Sequence, residues 1–437
     1  MILKNELAAL VLLFINVIFV DCISSENNGN GLFDIVKVNV IELQSPRYGE
    51  QDPAAKTVAG GANDFAFRLS AMLAENVDND NFVCSPYSIW LPLAALVNAA
   101  NIQNKAALLT TLGSAGITEE DINRAASQML YDLTNIRAKE YGEYHNPLKI
   151  ANAIFVGNDV TIKNDFAQIF MNYYRGSSIN VDFSSPGAVN AVNRWVSENT
   201  DGLITNLVQE FVPLTVAVIA NAIYFSDKWS TEFNPERTEG QIFHAPSGET
   251  TAFYMLREGN SQTYYEDNRV QAMPLYFTSG GGMYIILPKT CSAAELLSSM
   301  TNDYFNEIQV DSIPATGKLL LPRFSVESNI TGLDKTLEML GIPLFDKYSA
   351  PLTSGLIEED TPVYLSDVVQ KAVIHIDEKG TTAAAVTSMS ATALSARPQP
   401  TNNFEMICDK PFVFILFDYT YDGGAQILFT GIVNKPQ

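Results

Sequence analysis

Between Lys379 and Arg397 the chain carries no charge, and every residue in that interval is small, β-branched or modestly apolar. Either face of such a stretch could be buried in a sheet without stranding an ionised group. The same residues also read as an exposed loop. Gly380 opens the stretch, no helical period runs through it, and Pro398 and Pro400 close it against both a helix and a central strand. A segment that suits a loop in one setting and a buried strand in another suggests a switch, which the rest of the chain would be built to serve. A plain low-complexity surface loop is the competing reading of the same composition.

The rest of the chain has the material for a large sheet and core, with 47% hydrophobic residues among 437 and no Pro/Gly/Ser linker or internal repeat dividing it. Residues 150–156, 217–225, 281–288 and 319–324 read as buried strands. Residues 365–378, 412–417 and 427–433 have the same apolar content, the first leading directly into the uncharged stretch. Helices are expected over residues 63–76, where Phe65, Leu69, Met72 and Leu73 form a stripe, and over 189–199, through Val192, Trp195 and Val196. In Ser85-Pro86-Tyr87-Ser88, Ser85 suits an N-cap and Pro86 the first helical position, with Ile89, Leu93 and Leu96 continuing inward.

The first 22 residues have the pattern of a signal peptide, with Lys4 ahead of an apolar run from Leu7 to Val20 that is too short for a comfortable bilayer span. That implies a secreted, extracellular protein with no membrane anchor. Residues 23–60 form a polar extension ahead of the main domain, 61–437; Phe33, Ile35, Val36, Val38 and Val40 could add a short strand to it, and residues 45–53 are turn-rich. Cleavage after Cys22 leaves Cys84, Cys291 and Cys408, which cannot all pair internally; buried free thiols are the simplest reading for Cys84 and Cys408. Asn329-Ile330-Thr331 is a glycosylation sequon, expected in a polar turn. With only His145, His244 and His375, widely spaced, neither a histidine-rich metal site nor a hydrolase triad can be assembled, so no cofactor and no enzymatic activity are expected. The formal net charge of −22 argues against nucleic acid and anionic membranes as partners.

Four motifs carry a resemblance. Glu378-Lys379-Gly380-Thr381-Thr382-Ala383-Ala384-Ala385 resembles the hinge of the serpins, the serine protease inhibitor family, and Asp409-Lys410-Pro411-Phe412-Val413 resembles the signature that follows the reactive loop in that family. Asn221-Ala222-Ile223-Tyr224-Phe225, with Trp229 and Phe233, is similar to a segment of the family's central sheet, and the run from Phe82 to Ile89 is similar to the start of its early buried helix. The motifs follow the family's order. The resemblance implies an α+β serpin fold with a large central mixed β-sheet, further sheets, surrounding helices and an exposed reactive-centre loop, here residues 378–403. It places Ser85 and Ser88 in the shutter beneath the central sheet, with Gln370 where many serpins carry a histidine. It makes Arg323 the basic partner of Glu378 near the top of the neighbouring strand.

The implied function is that of a suicide substrate. The exposed loop is cleaved, and before the acyl-enzyme hydrolyses the loop enters the central sheet as a new strand, carrying the protease with it. Strand alternation from the hinge puts Thr381, Ala383, Ala385, Thr387, Met389 and Ala391 on one face, all uncharged. Counting from Glu378 by the family's convention sets the scissile bond at Leu394-Ser395, which suits chymotrypsin-like, elastase-like or subtilisin-like proteases. Arg397 is the competing, trypsin-type site, weakened by Pro398 after it. Heparin binding is not expected, because Arg124, Arg137, Lys139 and Lys149 are spread among Asp132, Glu140 and Glu143 rather than gathered on one helix. A monomer is expected. The flavour of the resemblance is that of arthropod serpins, which allows a role in restraining extracellular immune cascades. A non-inhibitory serpin, acting as a carrier, storage protein or chaperone, is the alternative.

Overall fold

The structure is a computed structural model, and it describes residues 34–35, 54–75, 77, 79–134, 148–158, 161–199, 202, 205–206, 208–211, 217–346, 352–358, 364–365, 367–380, 402–420 and 424–436. Two sheets dominate it. The first has six strands, in the order β1 (Asp34–Ile35), β4 (Gly176–Val181), β3 (Leu148–Gly157), β5 (Ala217–Phe225), β12 (Asp367–Ile376) and β11 (Phe324–Ile330). The second has nine, running β13 (Asn403–Ile407), β10 (Ile313–Pro322), β7 (Gly248–Glu266), β8 (Val270–Tyr276), β9 (Gly282–Pro288), β14 (Phe412–Tyr419), β15 (Ala425–Val433) and β2 (Phe82–Cys84), with β6 (Glu239–Ala245) paired to β7.

The six-stranded sheet is mixed. Pairing is antiparallel between β3 and β5 and between β11 and β12, but parallel between β3 and β4 and between β5 and β12. The near-continuous apolar reading of residues 150–156 follows from burial on both faces: Ile154 and Val156 enter the main core, while Ala153 and Phe155 face helix α6 (Ala188–Asn199) through Val192 and Val196. On the main-core side lie α1 (Ala55–Ala74), α2 (Pro86–Leu96) and α4 (Glu119–Thr134), after which comes α5 (Asn164–Tyr174); α3 (Ile102–Thr111) connects α2 to α4. The strands β14 and β15 are buried almost throughout, so the last part of the chain closes the core.

Three local expectations are corrected. The first helix begins at Ala55, not Asn63, because Val58 and Ala62 extend the buried stripe of Phe65 and Leu69, and Gly61 is required where its backbone meets Gly113; a Cβ on Gly61 would lie 2.1 Å from the Gly113 carbonyl oxygen. Residues 319–324 are not the start of one strand: β10 ends at Pro322, Arg323 interrupts, and β11 begins at Phe324 in the other sheet. Asn329 does not sit in a turn. It lies near the end of β11, the outermost strand on its side of the six-stranded sheet, exposed and opposite Lys371 of β12.

Candidate functional site

The joint between β5 and β12, in the middle of the six-stranded sheet, is paired over only part of the two strands. Its parallel ladder runs from Asp367 opposite Val218 to Lys371 opposite Ala222 and ends there, although β12 continues to Ile376 and β5 to Phe225. Both strands stay paired on their far sides to the top, β12 through Ile376 opposite Phe324 and β5 through Phe225 opposite Leu148. Two facing strand edges therefore diverge above Lys371. Parallel pairing is slightly the weaker kind per residue, and a strand entering this gap from the end of β12 would run antiparallel to both neighbours.

The top of the gap is held by one turn. Asp377 accepts hydrogen bonds from the backbone N–H groups of Lys379 and Gly380 (2.8 and 3.1 Å), folding the chain back immediately after β12. Gly380 has φ +135, and a Cβ there would lie 2.2 Å from the Asp227 carbonyl oxygen, so only glycine fits. The turn is fastened to the segment after β5: the Trp229 N–H donates to the Lys379 carbonyl (2.8 Å), the Phe233 N–H to the Glu378 carbonyl (2.8 Å), and the Trp229 indole to the Asp377 carbonyl (2.9 Å). Trp229 is buried and stacks on Phe277 with centroids 4.6 Å apart.

Arg323, the residue between β10 and β11, donates through Nε to Glu378 Oε1 (2.7 Å) and through its terminal nitrogen to the same oxygen, and the Thr238 hydroxyl is a further donor to it (2.5 Å). Burial alone would raise the Glu378 pKa, but the hydrogen bonds from Arg323 and Thr238 outweigh it and hold the carboxyl below its ordinary value. The side chains are unequally buried, 7% exposed for Glu378 and 42% for Arg323, so the carboxylate depends on the pair more than the guanidinium does.

Lower in the gap, Gln370 is fully buried in β12, its backbone opposite Asn221 of β5. Its Oε1 accepts from the Ser85 N–H (3.0 Å), and its Nε2 donates to the Ser85 carbonyl (2.7 Å) and to Ser88 Oγ (2.9 Å). The glutamine thus ties the strand to the first turn of α2. Ser85 occupies the N-cap position with Pro86 next, but its hydroxyl does not cap; it donates to the Leu428 carbonyl of β15 (2.7 Å), leaving Gln370 to satisfy the Ser85 backbone. Ser88 donates back to the Ser85 carbonyl (3.0 Å).

The structure therefore brings Ser85, Ser88 and Gln370 into one cluster and Trp229, Arg323, Glu378 and Gly380 into another, at two heights of the same strand joint. Thr238, Asp227 and Asp377 complete the upper cluster. Sequence reasoning missed Thr238 and Asp227, which act through contacts across the fold, and did not read the local turn that Asp377 makes with Lys379 and Gly380. Thr381, Ala383, Ala384, Ala385, Leu394, Ser395 and Arg397 lie outside the described residues. The described chain resumes at Asn402, whose carbonyl accepts from Thr316, and β13 then runs parallel to β10 in the other sheet. Cys84 and Cys408 are buried free thiols and Cys291 is a partly exposed one. Within the segment considered for heparin, Arg124 is paired with Glu120 and Asp121, while Arg137 and Lys139 lie outside the described residues. No helix among the described residues is long and apolar enough to cross a membrane.

A family model described as serpin (serine protease inhibitor) matches residues 60–436. The plasma serine protease inhibitor of Bos taurus is 27% identical, the alignment covering 90% of this chain and 95% of that protein. Among solved structures, the thermophilic serpin tengpin in its native state superposes with a TM-score of 0.77 at 25% identity, covering 92% of this chain and all (100%) of that one. A highly specific serpin of the insect Tenebrio molitor superposes with a TM-score of 0.74 at 25% identity, covering 89% and 100%.

Proposed function

The chain belongs to the serpin family, and from that premise we propose that it is a secreted inhibitor that traps serine proteases by inserting its cleaved loop between β5 and β12. The observation that carries this reading is the joint itself: a short parallel ladder that ends at Lys371 and Ala222, with the chain turned back toward the gap at Gly380 and an uncharged sequence following. The protease's serine attacks the Leu394 carbonyl carbon, the Leu394-Ser395 amide bond breaks, and the Ser395 amine leaves with the C-terminal part of the chain. The enzyme is then joined by an ester to Leu394. A strand from Thr381 to Leu394 spans roughly 46 Å at about 3.3 Å per residue, so insertion moves the ester over a molecule-length distance. The small residues near the hinge, Thr381, Ala383 and Ala385, would enter the sheet without clash.

The upper cluster serves in this reading as the latch that the first inserting residues must displace, and the Gln370 cluster as the support on which β12 slides. Secretion rests on the leader-like first 22 residues, and the sequon at Asn329 is on the surface, where a glycan would be accommodated.

Incubation with a chymotrypsin-like protease tests the proposal. The expected product is a complex that survives boiling in detergent, together with a C-terminal fragment beginning at Ser395. A fragment beginning at Pro398 would transfer the reactive bond to Arg397 and the specificity to trypsin-like enzymes. Cleavage with no complex would leave the non-inhibitory reading, a carrier or storage protein on the same fold.

A further inference from the structure

The extension ahead of the family-matched span, which begins at residue 60, supplies one element among the described residues, β1. Its Asp34 and Ile35 pair antiparallel with Asn180 and Ile179 of β4. That pairing makes β1 the outermost strand on its side of the six-stranded sheet, and without it β4 would be the edge. A bare edge offers unpaired N–H and C=O groups to any other strand, and proteins blunt such edges with charges, proline or a covering element. β4 is Gly176-Ser177-Ser178-Ile179-Asn180-Val181, with neither a charge nor a proline. The opposite edge is protected differently: β11 carries Glu327, paired with Lys371, and the exposed sequon residue Asn329.

β4 is also partly apolar. Ile179 and Val181 are buried with Phe155, Val192 and Val196 in the small core between the sheet and α6. The extension matches this strand in length and pattern. Continued in the observed register, residues 33–38 run opposite β4 from end to end, with Phe33 opposite Val181, Val36 opposite Ser178 and Val38 opposite Gly176. Phe33 and Ile35 are thus in register with the two buried apolar residues of β4. Phe33, Ile35, Val36 and Val38 are aromatic or β-branched, the residue types that suit an added strand.

We propose that the edge of β4 is a strand-addition site which the chain fills with its own residues 33–38, and that this occupancy keeps two copies from pairing β4 to β4. A second copy is the fitting competitor. A two-fold axis brings two identical β4 strands together antiparallel, the same direction in which β1 runs against β4. The edge is separated from the β5–β12 joint by β3, so the assignment does not rest on protease trapping.

Size exclusion with light scattering over a range of protein concentrations provides the test. The parent from Ile23 is compared with a chain beginning at Ser45, which keeps every described element except β1. A second variant, Ile35→Pro with Val36→Pro in the full chain, removes two N–H groups and opposes an added strand. The two variants are independent routes to the same bare edge, so one that fails to fold leaves the other to decide. The parent is expected to stay monomeric throughout. Both variants are expected to form dimers that dissociate on dilution, with a dissociation constant of about 10–100 µM for so small an interface. A peptide of residues 30–41 in excess should return the shortened chain to monomer, and the same peptide carrying the two prolines should not. Adding Thr381→Arg, which hinders loop insertion, distinguishes edge pairing from loop exchange, and dimers of the shortened chain should survive it. Variants that stay monomeric, a parent that dimerises as readily as they do, dimers indifferent to the peptide, or dimers lost with Thr381→Arg would each overturn the assignment.

Discussion

Glu378 closes the top of the gap with a single carboxylate oxygen that serves both Arg323 and Thr238. Because its folded pKa is lowered, its contribution to stability is present above its ordinary value of about 4.5 and is lost as the pH falls through the lower folded value. Glu378→Gln should therefore flatten the stability-against-pH curve below about pH 4.5 relative to the parent, read by denaturant unfolding at a series of pH values; parallel curves would show that the pair contributes nothing. Glu378→Lys is more severe. It sets a second cation against Arg323 and leaves the Thr238 hydroxyl without its acceptor, at a cost of about 1–3 kcal/mol, discounted because Arg323 is part-exposed. With the latch released, intermolecular loop insertion should produce polymers on mild heating, and a protein still monomeric by size exclusion would count against the latch. The pair was legible in sequence only through family resemblance: a charged residue at the end of an apolar strand can be seen, but its partner is 55 positions away. Gln370 shows the same limit. A lone polar residue in an apolar strand signals a specific partner, yet nothing local names Ser85, 285 positions earlier.

Strands were easier to read than their junctions. A continuous apolar run made residues 217–225 legible at their true bounds, and β12 was read within two residues of each end. Register and direction are set by the tertiary arrangement and leave no local trace, so the five-residue parallel pairing that makes the joint weak was invisible. The Asn329 turn was misread for a related reason: on an outermost strand the exposed residues are polar, and a short polar run there looks like a turn. The segment that would fill the joint begins at Thr381, directly after the turn fastened to Trp229 and Phe233. Thr381→Arg places a long cation where a small hydroxyl would enter the sheet. Burying an unpaired charge costs several kcal/mol even after relaxation, enough to slow that first step by orders of magnitude. Insertion competes with hydrolysis of the acyl-enzyme, so the variant should be cleaved normally but release active protease. The number of inhibitor molecules consumed per protease inactivated should rise steeply, and an unchanged stoichiometry would remove the hinge from the mechanism.

At the scale of the whole molecule, the two ends of the loop are anchored in different sheets. Gly380 follows the turn after β12 of the six-stranded sheet and bridges Lys228, while Asn402 and β13 are bound to β10 in the nine-stranded one. An intact loop cannot fill the gap fully without pulling β13 from β10, whereas a loop cut at Leu394 keeps only its attachment at Gly380. Full insertion would replace one short parallel ladder by two antiparallel ladders and bury the small apolar residues of the loop. About ten additional backbone hydrogen bonds at about 1 kcal/mol each amount to roughly 10 kcal/mol before the ordering entropy of the loop is subtracted. At the unfolding entropy of a chain this size, even the remaining part should raise the melting temperature by about 10 °C or more. Cleavage is thus expected to make the protein more stable, the reverse of what a cut in an ordinary surface loop does. Scanning calorimetry of intact and loop-cleaved protein measures the difference directly, with cleaved Thr381→Arg as the comparison that isolates insertion from cleavage. The parent should melt well above its intact form and the variant should gain much less. A cleaved parent that melts at or below the temperature of the intact chain would mean that the joint between β5 and β12 does not open, and with it the proposed trapping mechanism would fail.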